Sequence, residues 1–359
     1  MIHDQFKAQL TIDQIDKGAI AAQAPSNIAL VKYWGKYGQQ LPKNTSISFT
    51  LSNCKTTTTL EFERKNSPGF DFEVYLDEQR EIAFEPKIEA FFERILPYCP
   101  YLEEYSFKIN THNSFPHSSG IASSASGMSA LATCLVQLEQ KISTIDLTPE
   151  DAIQKASFLS RLGSGSACRS LEGPIVVWGE HDAVNESSNL FGTLLRKDIH
   201  PIFKDYCDTI LLVDKGQKQV SSTVGHGLMH GHPFAQVRFD QANENIGKIL
   251  KVLSEGDQAK FIEIVESEAL SLHAMMMTSL PYFILFKPNT LKIIETIWHY
   301  RKDTGIPVCF TLDAGANVHV LYASSDAEAV QNFISKELSQ YCQNRQFIHD
   351  KAGMGASLI

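Results

Sequence analysis

The chain has 359 residues, of which 43% are hydrophobic and 20% are charged. This balance suits one or two globular domains and excludes disordered and fibrous classes. The formal net charge is −9, and an acidic chain gains nothing from the field of nucleic acid or anionic membranes, so neither is expected as a partner.

The seven cysteines show no spacing typical of disulfides or zinc sites. Their number is odd and no two of them form a Cys-x-x-Cys pair, which indicates a reducing compartment. The N-terminus lacks a basic segment followed by an apolar run. No stretch reaches about 18 uninterrupted apolar residues, so no membrane span is predicted. We therefore expect a cytoplasmic protein.

The first half of the chain mixes predicted strands with a few helices. β-Branched residues predict a strand at 56–62, and alternation predicts another at 106–110. The Ala-, Leu- and Met-rich stretch 124–139 predicts a helix. Thr148 followed by Pro149 is typical of an N-cap with proline at the first helical position, so a second helix is expected there.

The second half is more helical. Periodicity predicts helices at 257–278 and 289–302. Between 307 and 323, two apolar runs flank the segment 313–317, which indicates two strands joined by a turn. A capping-box pattern at 325–328 predicts the start of the last long helix.

A polar connection at 180–198 predicts the boundary between an N-terminal domain, 1–190, and a C-terminal domain, 191–359. Strands and helices are mixed rather than strictly alternating along the chain. This pattern favours an α+β fold over a doubly wound sheet.

Two lysines, a tyrosine and a tryptophan lie close together in the otherwise apolar stretch 24–36. Lysines beside aromatic rings at a strand end can bind an anion, because the rings exclude water and strengthen the attraction. The alternative is an amphipathic strand with snorkelling lysines.

A Gly/Ser-rich loop at 116–127 leads into the predicted helix. The free N–H groups at a helix start, the positive end of its dipole and nearby hydroxyls suit phosphate, and a serine hydroxyl can reach Mg²⁺. No Gly-Lys-Ser/Thr follows, so this is not a P-loop. Ordinary helix starts have a similar composition.

Two further stretches carry one charged residue each. Small residues at 163–168 precede Arg169, which can fork onto a carboxylate or phosphate; the alternative is a tight turn with a surface arginine. Asp313 follows the apolar run 308–312. It is a turn former, a general base or the partner of a buried lysine. Together the four stretches predict ATP-dependent phosphoryl transfer to a small anionic substrate.

The motif Pro-x-x-x-Gly-x-x-Ser-Ser-Ala at 116–125 resembles the ATP-phosphate motif of the GHMP kinase superfamily. Five other segments resemble one branch of that superfamily, the diphosphomevalonate decarboxylases, in the family's order along the chain. These segments are 27–36, 44–48, 163–170, 218–223 and 311–315.

The resemblance implies an α+β fold of two domains, one like ribosomal protein S5 domain 2 and one C-terminal GHMP domain, with the active site in the cleft between them. It implies ATP-dependent decarboxylation of (R)-5-diphosphomevalonate to isopentenyl diphosphate, ADP, phosphate and CO2 through transient phosphorylation of the C3 hydroxyl, in the mevalonate pathway. ATP and Mg²⁺ are the implied cofactors, and a homodimer is the implied assembly.

The resemblance also implies roles for single residues. Asp313 would act near the C3 hydroxyl as general base or orienting acid, Lys32 would hold Asp313 ionised, and Arg169 would grip the substrate carboxylate. The implied substrate-binding residues are Tyr33, Lys36, Ser164, Ser166, Arg169 and Ser222. The implied ATP-binding residues are Asn113, Ser119, Gly120, Ser123 and Ser124, and Ser124 is also the implied metal ligand.

The sequence departs from the family pattern in places that leave Lys32 and Asp313 unchanged. Thr223 stands where some bacterial members carry an arginine that helps hold the diphosphate. One cation fewer would suit a monophosphate, so a phosphomevalonate decarboxylase that yields isopentenyl phosphate is the alternative.

A kinase without decarboxylation would be expected to have altered Lys32 or Asp313. A catalytically inactive sensor would be expected to have lost Asp313 or the serines at 123–124.

Overall fold

A computed structural model gives the fold of the chain. It describes residues 3–8, 15–116, 121–144, 146–196, 199–216 and 222–359, with the side chains of 222 and 223 left out. The strands of the first half are β1 Lys17–Val31, β2 Lys36–Tyr37, β3 Leu41–Pro42, β4 Ser46–Arg64, β5 Asp71–Leu76, β6 Gln79–Arg80, β7 Tyr105–Asn113, β8 Ile175–Trp178 and β9 Thr193–Leu194. Those of the second half are β10 Cys207–Leu211, β11 Cys309–Thr311, β12 Val318–Tyr322, β13 Phe347–Lys351 and β14 Ser357–Leu358.

The α-helices are α1 Glu85–Ile95, α2 Ser123–Ile142, α3 Pro149–Gly163, α4 Ser222–Gly227, α5 Ala235–Glu255, α6 Gln258–Met277, α7 Pro288–Thr304 and α8 Ala327–Phe333. Two short helical segments follow α-helices. A 3₁₀ helix, Gly165–Ser170, follows α3, and a π turn, Ile334–Leu338, follows α8.

The first sheet is built on the long antiparallel pair β1 and β4. Its order is β14-β1-β4-β7-β5-β6, and β8 pairs with the first part of β4 and carries β9. Buried and exposed residues alternate along the second part of β4, so one face of the sheet is apolar. Helices α1, α2 and α3 cover that face and form a core with it.

The second sheet has the order β11-β12-β10-β13, and all its pairs are antiparallel. Helices α7 and α8 pack on one side of it. On the other side, apolar residues of β10 join those of β4, α5 and α6 in a core that both halves of the chain share.

The C-terminal segment ties the second half to the first. The Asp350 carboxylate accepts the backbone N–H groups of Ser52, Asn53 and Cys54 at 2.8, 2.8 and 2.7 Å. Strand β14 then pairs with β1, where Ser357 lies opposite Gln23. Hydrogen bonds to a carboxylate are among the stronger ones in proteins, so the two halves are held against each other. The division at 190/191 stays a prediction.

Most of the predicted elements are confirmed. The strands at 56–62 and 106–110 lie within β4 and β7, and the helix at 124–139 lies within α2. At α3, the Thr148 hydroxyl accepts the N–H of Asp151 at 3.1 Å, as an N-cap does.

The predicted helices at 257–278 and 289–302 correspond to α6 and α7, and the predicted strands around 313–317 are β11 and β12. The capping box at 325–328 is wrong. A 3₁₀ turn comes first, Asp326 occupies the N-cap without a side-chain hydrogen bond, and α8 ends after seven residues. The π turn Ile334–Leu338 follows α8 directly and continues the helical path of the chain.

All seven cysteines are free thiols in the structure. Within the described ranges, no helix combines the length and apolar character that a membrane crossing needs.

Candidate active site

The four stretches with candidate chemistry meet at one cavity of about 360 Å³, lined by residues of both halves of the chain. The predicted site residues on its wall are Lys32, Tyr33, Lys36, Ser124, Ser164, Ser166, Arg169 and Asp313. The long pairing of β1 with β4 sets the position of the first three, because they follow the end of β1 at Val31. Asp313 lies two residues beyond β11, on the second sheet.

Lys32 and Asp313 form an ion pair at this cavity. Lys32 is 1% exposed, and its Nζ lies 3.0 Å from Asp313 Oδ1. Burial lowers the pKa of Lys32, and the charge and hydrogen bond of Asp313 oppose that shift. The Asp313 side chain is 28% exposed, so its carboxylate still borders the cavity while it pairs with the buried ammonium.

The backbone of Lys32 is held from two sides. Its N–H donates to Glu268 Oε2 on α6 at 2.9 Å, and its carbonyl accepts from Asn44 Nδ2 at 2.9 Å. Glu268 is fully buried and also accepts from Arg238 and from Asn245 Nδ2, the latter at 2.7 Å. The end of β1 is therefore anchored to helices α5 and α6 of the second half.

The backbone of Asp313 is also positioned. The ring of His273 stacks on Phe286 with centroids 4.1 Å apart, and its Nε2 lies 3.1 Å from the Asp313 carbonyl oxygen. Burial lowers the pKa of His273 to about 4. A neutral His273 with its proton on Nε2 donates to this carbonyl and fixes the turn that carries the acid.

Arg169 lies in the 3₁₀ helix after α3 and is buried rather than on the surface. Its Nη1 donates to the Ser46 hydroxyl, and its Nε and Nη2 both reach Asn27 Oδ1 at 3.4 Å. Burial lowers the pKa of Arg169. The guanidinium is held in place by neutral partners, so its charge stays available to an anion in the cavity.

Tyr33, Lys36 and the two loop serines line the same wall. Burial raises the pKa of the Tyr33 phenol, which therefore stays a hydrogen-bond donor. Lys36 Nζ lies 2.9 Å from Gln40 Oε1. A Cβ at Gly165, between Ser164 and Ser166, would come within 2.9 Å of the Tyr33 hydroxyl. Glycine there allows the serine loop to approach the phenol.

The start of α2 contributes Ser124, whose hydroxyl is exposed and lies 3.4 Å from that of Ser164. The N-cap is Ala122, whose own side chain cannot cap the first N–H groups of the helix. Ser123 is in the same turn but does not line the cavity, and neither does Asn113, whose Oδ1 accepts from Thr56 at 2.6 Å. Ser119, Gly120 and the side chain of Ser222 lie outside the described residues.

Several residues of the cavity wall were not predicted from the sequence. They are Trp34, Gln40, Lys87, His226 and Leu272. The aromatic–lysine stretch 24–36 contained a signal for Trp34. Nothing in the local sequence of the others distinguishes them from surface or core residues, and His226 and Leu272 reach the cavity only because α4 and α6 pack against the end of β1.

Comparison with known proteins identifies the family of both halves of the chain. Residues 24–189 match the diphosphomevalonate decarboxylase-like N-terminal domain, and residues 209–357 match the mevalonate 5-diphosphate decarboxylase C-terminal domain. The chain is 30% identical over 332 residues to the diphosphomevalonate decarboxylase of Saccharomyces cerevisiae, which covers 87% of this chain and 80% of the relative.

Two solved structures are similar to this chain in fold over nearly its whole length. The chain superposes on the mevalonate diphosphate decarboxylase from Enterococcus faecalis with a TM-score of 0.81 and 27% identity, over 96% of this chain and 99% of the other. A structure of MDDEF in complex with MVAPP, AMPPCP and magnesium gives the same values. Fold and cavity thus define a mixed α/β, two-domain enzyme of the GHMP kinase class. Within that class, the chain belongs to the diphosphomevalonate decarboxylase family.

The buried ion pair predicts a pH-dependent stability for Asp313→Asn. Without Asp313 the pKa of Lys32 falls further below its ordinary value of 10.5, and the free energy of unfolding drops by roughly 3 kcal/mol near neutral pH. The folded state then binds fewer protons than the unfolded chain between the lowered pKa and 10.5. The free energy of unfolding of the variant therefore rises with pH through that window, more steeply than in the wild type.

Denaturant unfolding at about pH 7 and about pH 9 measures this difference. The double variant Lys32→Met/Asp313→Asn is the matched control, because it has no buried ammonium and should lose the added slope. Equal slopes for Asp313→Asn and the wild type would contradict the pairing.

Proposed function

We propose that this chain catalyses the ATP-dependent decarboxylation of (R)-5-diphosphomevalonate, with isopentenyl diphosphate, ADP, phosphate and CO2 as products. The observation that carries the proposal is the Lys32–Asp313 pair at a cavity whose wall also holds Arg169. The relatives named above are diphosphomevalonate decarboxylases, which favours the diphosphate over the monophosphate alternative.

Asp313 would act on the C3 hydroxyl of the substrate. Its carboxylate borders the cavity and is paired with an ammonium, and a charged partner favours the ionised form of an acid. An ionised Asp313 accepts the proton of the C3 hydroxyl, or aligns that hydroxyl. The C3 oxygen of the substrate then attacks the γ-phosphorus of ATP. Lys32 counters the negative charge that gathers there during transfer.

The second step breaks two σ bonds and forms two π bonds. A lone pair of the carboxylate oxygen forms the second C=O bond of CO2, and the electron pair of the bond between the carboxylate and its neighbouring carbon forms the new C=C bond. Phosphate leaves C3 with the electron pair of the C3–O bond. Arg169 would hold the carboxylate in line until CO2 departs. Its guanidinium is hydrogen-bonded to Asn27 and Ser46, and these bonds fix the orientation of the guanidinium plane.

The diphosphate of the substrate would lie against Tyr33, Lys36, Ser164 and Ser166. One cation, one neutral phenol and two hydroxyls on a single wall provide donors for an anion with many acceptor oxygens. Ser222 is proposed as a further substrate contact from the second half of the chain.

ATP would place its phosphates at the start of α2, against Ser123, Ser124, Ser119 and Gly120, with Asn113 nearby. The first turn of that helix, whose N-cap Ala122 has no capping side chain, fits this role. In the described part of the chain, no group of three or more His, Cys, Asp or Glu side chains is arranged to hold a metal. Mg²⁺ would then be held mainly by ATP phosphates and by Ser124, and it would neutralise phosphate charge.

We also propose a cytoplasmic homodimer. The seven free cysteines suit a reducing compartment. Leu280, Tyr282 and Ile284 are largely exposed in one segment, as expected for a surface that a second subunit covers. Nucleic acid and membranes are not proposed as partners of this acidic chain.

The stoichiometry tests the reaction directly. With ATP, Mg²⁺ and mevalonate 5-diphosphate, we expect ADP, phosphate and CO2 in equal amounts, because ATP serves only to make a leaving group. Mevalonate 5-phosphate is the matched comparison and should react far more slowly. ADP without CO2 would instead indicate a kinase.

The ion pair should behave as one catalytic unit. Asp313→Asn keeps the shape of the acid and removes its charge, so turnover should fall by at least about 10²-fold. Lys32→Met should also lower turnover strongly, and the double variant should be little worse than the poorer single one. Turnover and substrate binding of the folded variants measure this. Additive losses would mean that the two residues act independently.

Arg169→Lys tests the grip on the carboxylate. Lysine keeps a positive charge but cannot reproduce the planar fork, so kcat/KM should fall by about 10²-fold or more, a loss typical of a transition-state contact. Wild-type efficiency in this variant would remove Arg169 from the proposed site. Arg345→Lys, at an exposed position far along the chain, is the control and should leave the rate unchanged.

A further inference from the structure

The ring of His226 lies at the cavity wall between two aromatic neighbours. Its centroid is 4.2 Å from that of Tyr33 and 4.5 Å from that of Trp34. Its Nδ1 is 2.9 Å from the backbone nitrogen of Gly35, which donates its hydrogen to it. His226 belongs to α4, while the other three residues follow β1, so this contact joins the two halves of the chain at the cavity.

The hydrogen bond from Gly35 determines the tautomer of His226. Nδ1 accepts a hydrogen, so it carries no proton, and the proton of a neutral ring must be on Nε2. Burial, followed by the charges of Lys36 and Arg169, lowers the pKa of His226 to about 3. The ring is therefore neutral over the physiological range and carries one N–H donor at Nε2.

This donor is available to a ligand. Among the described residues, no protein group accepts a hydrogen bond from Nε2, and His226 lines the cavity. Of the two cations that act on the ring, Lys36 has the stronger effect. Lys36 and Tyr33 are the residues proposed above for the diphosphate. Both line the same cavity as His226, and the Tyr33 ring is in contact with the His226 ring.

We propose that His226 is a further substrate-binding residue, whose Nε2–H donates a hydrogen bond to the diphosphate of the substrate. This inference rests on the function proposed above and extends its binding site. A neutral donor adds a contact to the anion without adding a charge that must be desolvated. Because Gly35 fixes the ring, the donor is already oriented before the substrate arrives.

Two variants separate the nitrogen atoms of His226. Asparagine places its side-chain oxygen near the position of Nδ1, so it can accept from Gly35, but it has no atom at the position of Nε2. Glutamine reaches the Nε2 position with an amide N–H. We expect His226→Asn to raise KM for mevalonate 5-diphosphate by about 10- to 100-fold, the loss of one hydrogen bond to a charged group. His226→Gln should recover much of that loss, and KM for ATP should be unchanged in both.

The matched control is His232→Asn. His232 is also buried, and its Nδ1 accepts the backbone N–H of Phe234 at 3.1 Å, but its Nε2 lies 3.2 Å from the Thr278 hydroxyl, away from the cavity wall. This variant should keep the wild-type KM. Equal KM values for His226→Asn and the wild type would overturn the proposal.

An NMR measurement on the wild-type protein does not depend on turnover or on the folding of a variant. Long-range ¹H–¹⁵N spectra should show His226 with its proton on Nε2, and saturating mevalonate 5-diphosphate should shift that proton downfield. A proton on Nδ1, or no shift on binding, would overturn the role of His226. Failure of the wild type to release CO2 would overturn the proposed function instead, while the spectra would still decide whether His226 contacts the diphosphate.

Discussion

A lysine that is 1% exposed constrains the whole site. A buried ammonium is tolerated only with a close opposite charge and with its neighbouring polar groups satisfied. For Lys32 the charge comes from Asp313 on the second sheet, and the backbone on either side is held by Glu268 and Asn44. The first sheet supplies the cation and the second supplies its partner, so neither half alone contains the reactive pair.

Several of the contacts that join the halves lie next to this pair. Gly35 donates to His226, and Arg238 and Asn245 hold the carboxylate that anchors Lys32. Gly35 has a φ of 98°, in the region that favours glycine, and a Cβ there would lie 2.8 Å from a ring carbon of Phe239. The tight turn after β1 therefore places Lys32, Tyr33 and Trp34 against the second half, where Trp34 packs with Phe239 and Leu272.

The site is cationic within an acidic protein. The chain carries a net charge of −9, yet the described wall of the cavity has four basic side chains, Lys32, Lys36, Lys87 and Arg169, against one acid, Asp313. Attraction for an anionic substrate must come from this local cluster, since the field of the whole protein opposes it. Burial strengthens the interactions of these charges, and Tyr33 and His226 add neutral donors beside them.

The sequence by itself was enough to predict an α+β chain, some of its helices and strands, and the stretches that supply Lys32, Arg169 and Asp313. These features depend on local patterns: the alternation along β4, the N-cap at Thr148 and the small residues before Arg169. The length of α8 and the roles of Glu268, His226 and His273 in the site were not predictable. Glu268 looks like one more acid of a helix, and only packing shows that it meets the N–H of Lys32, 236 positions away. Tertiary structure decided these contacts, because periodicity records which face of an element is buried but not which element covers it.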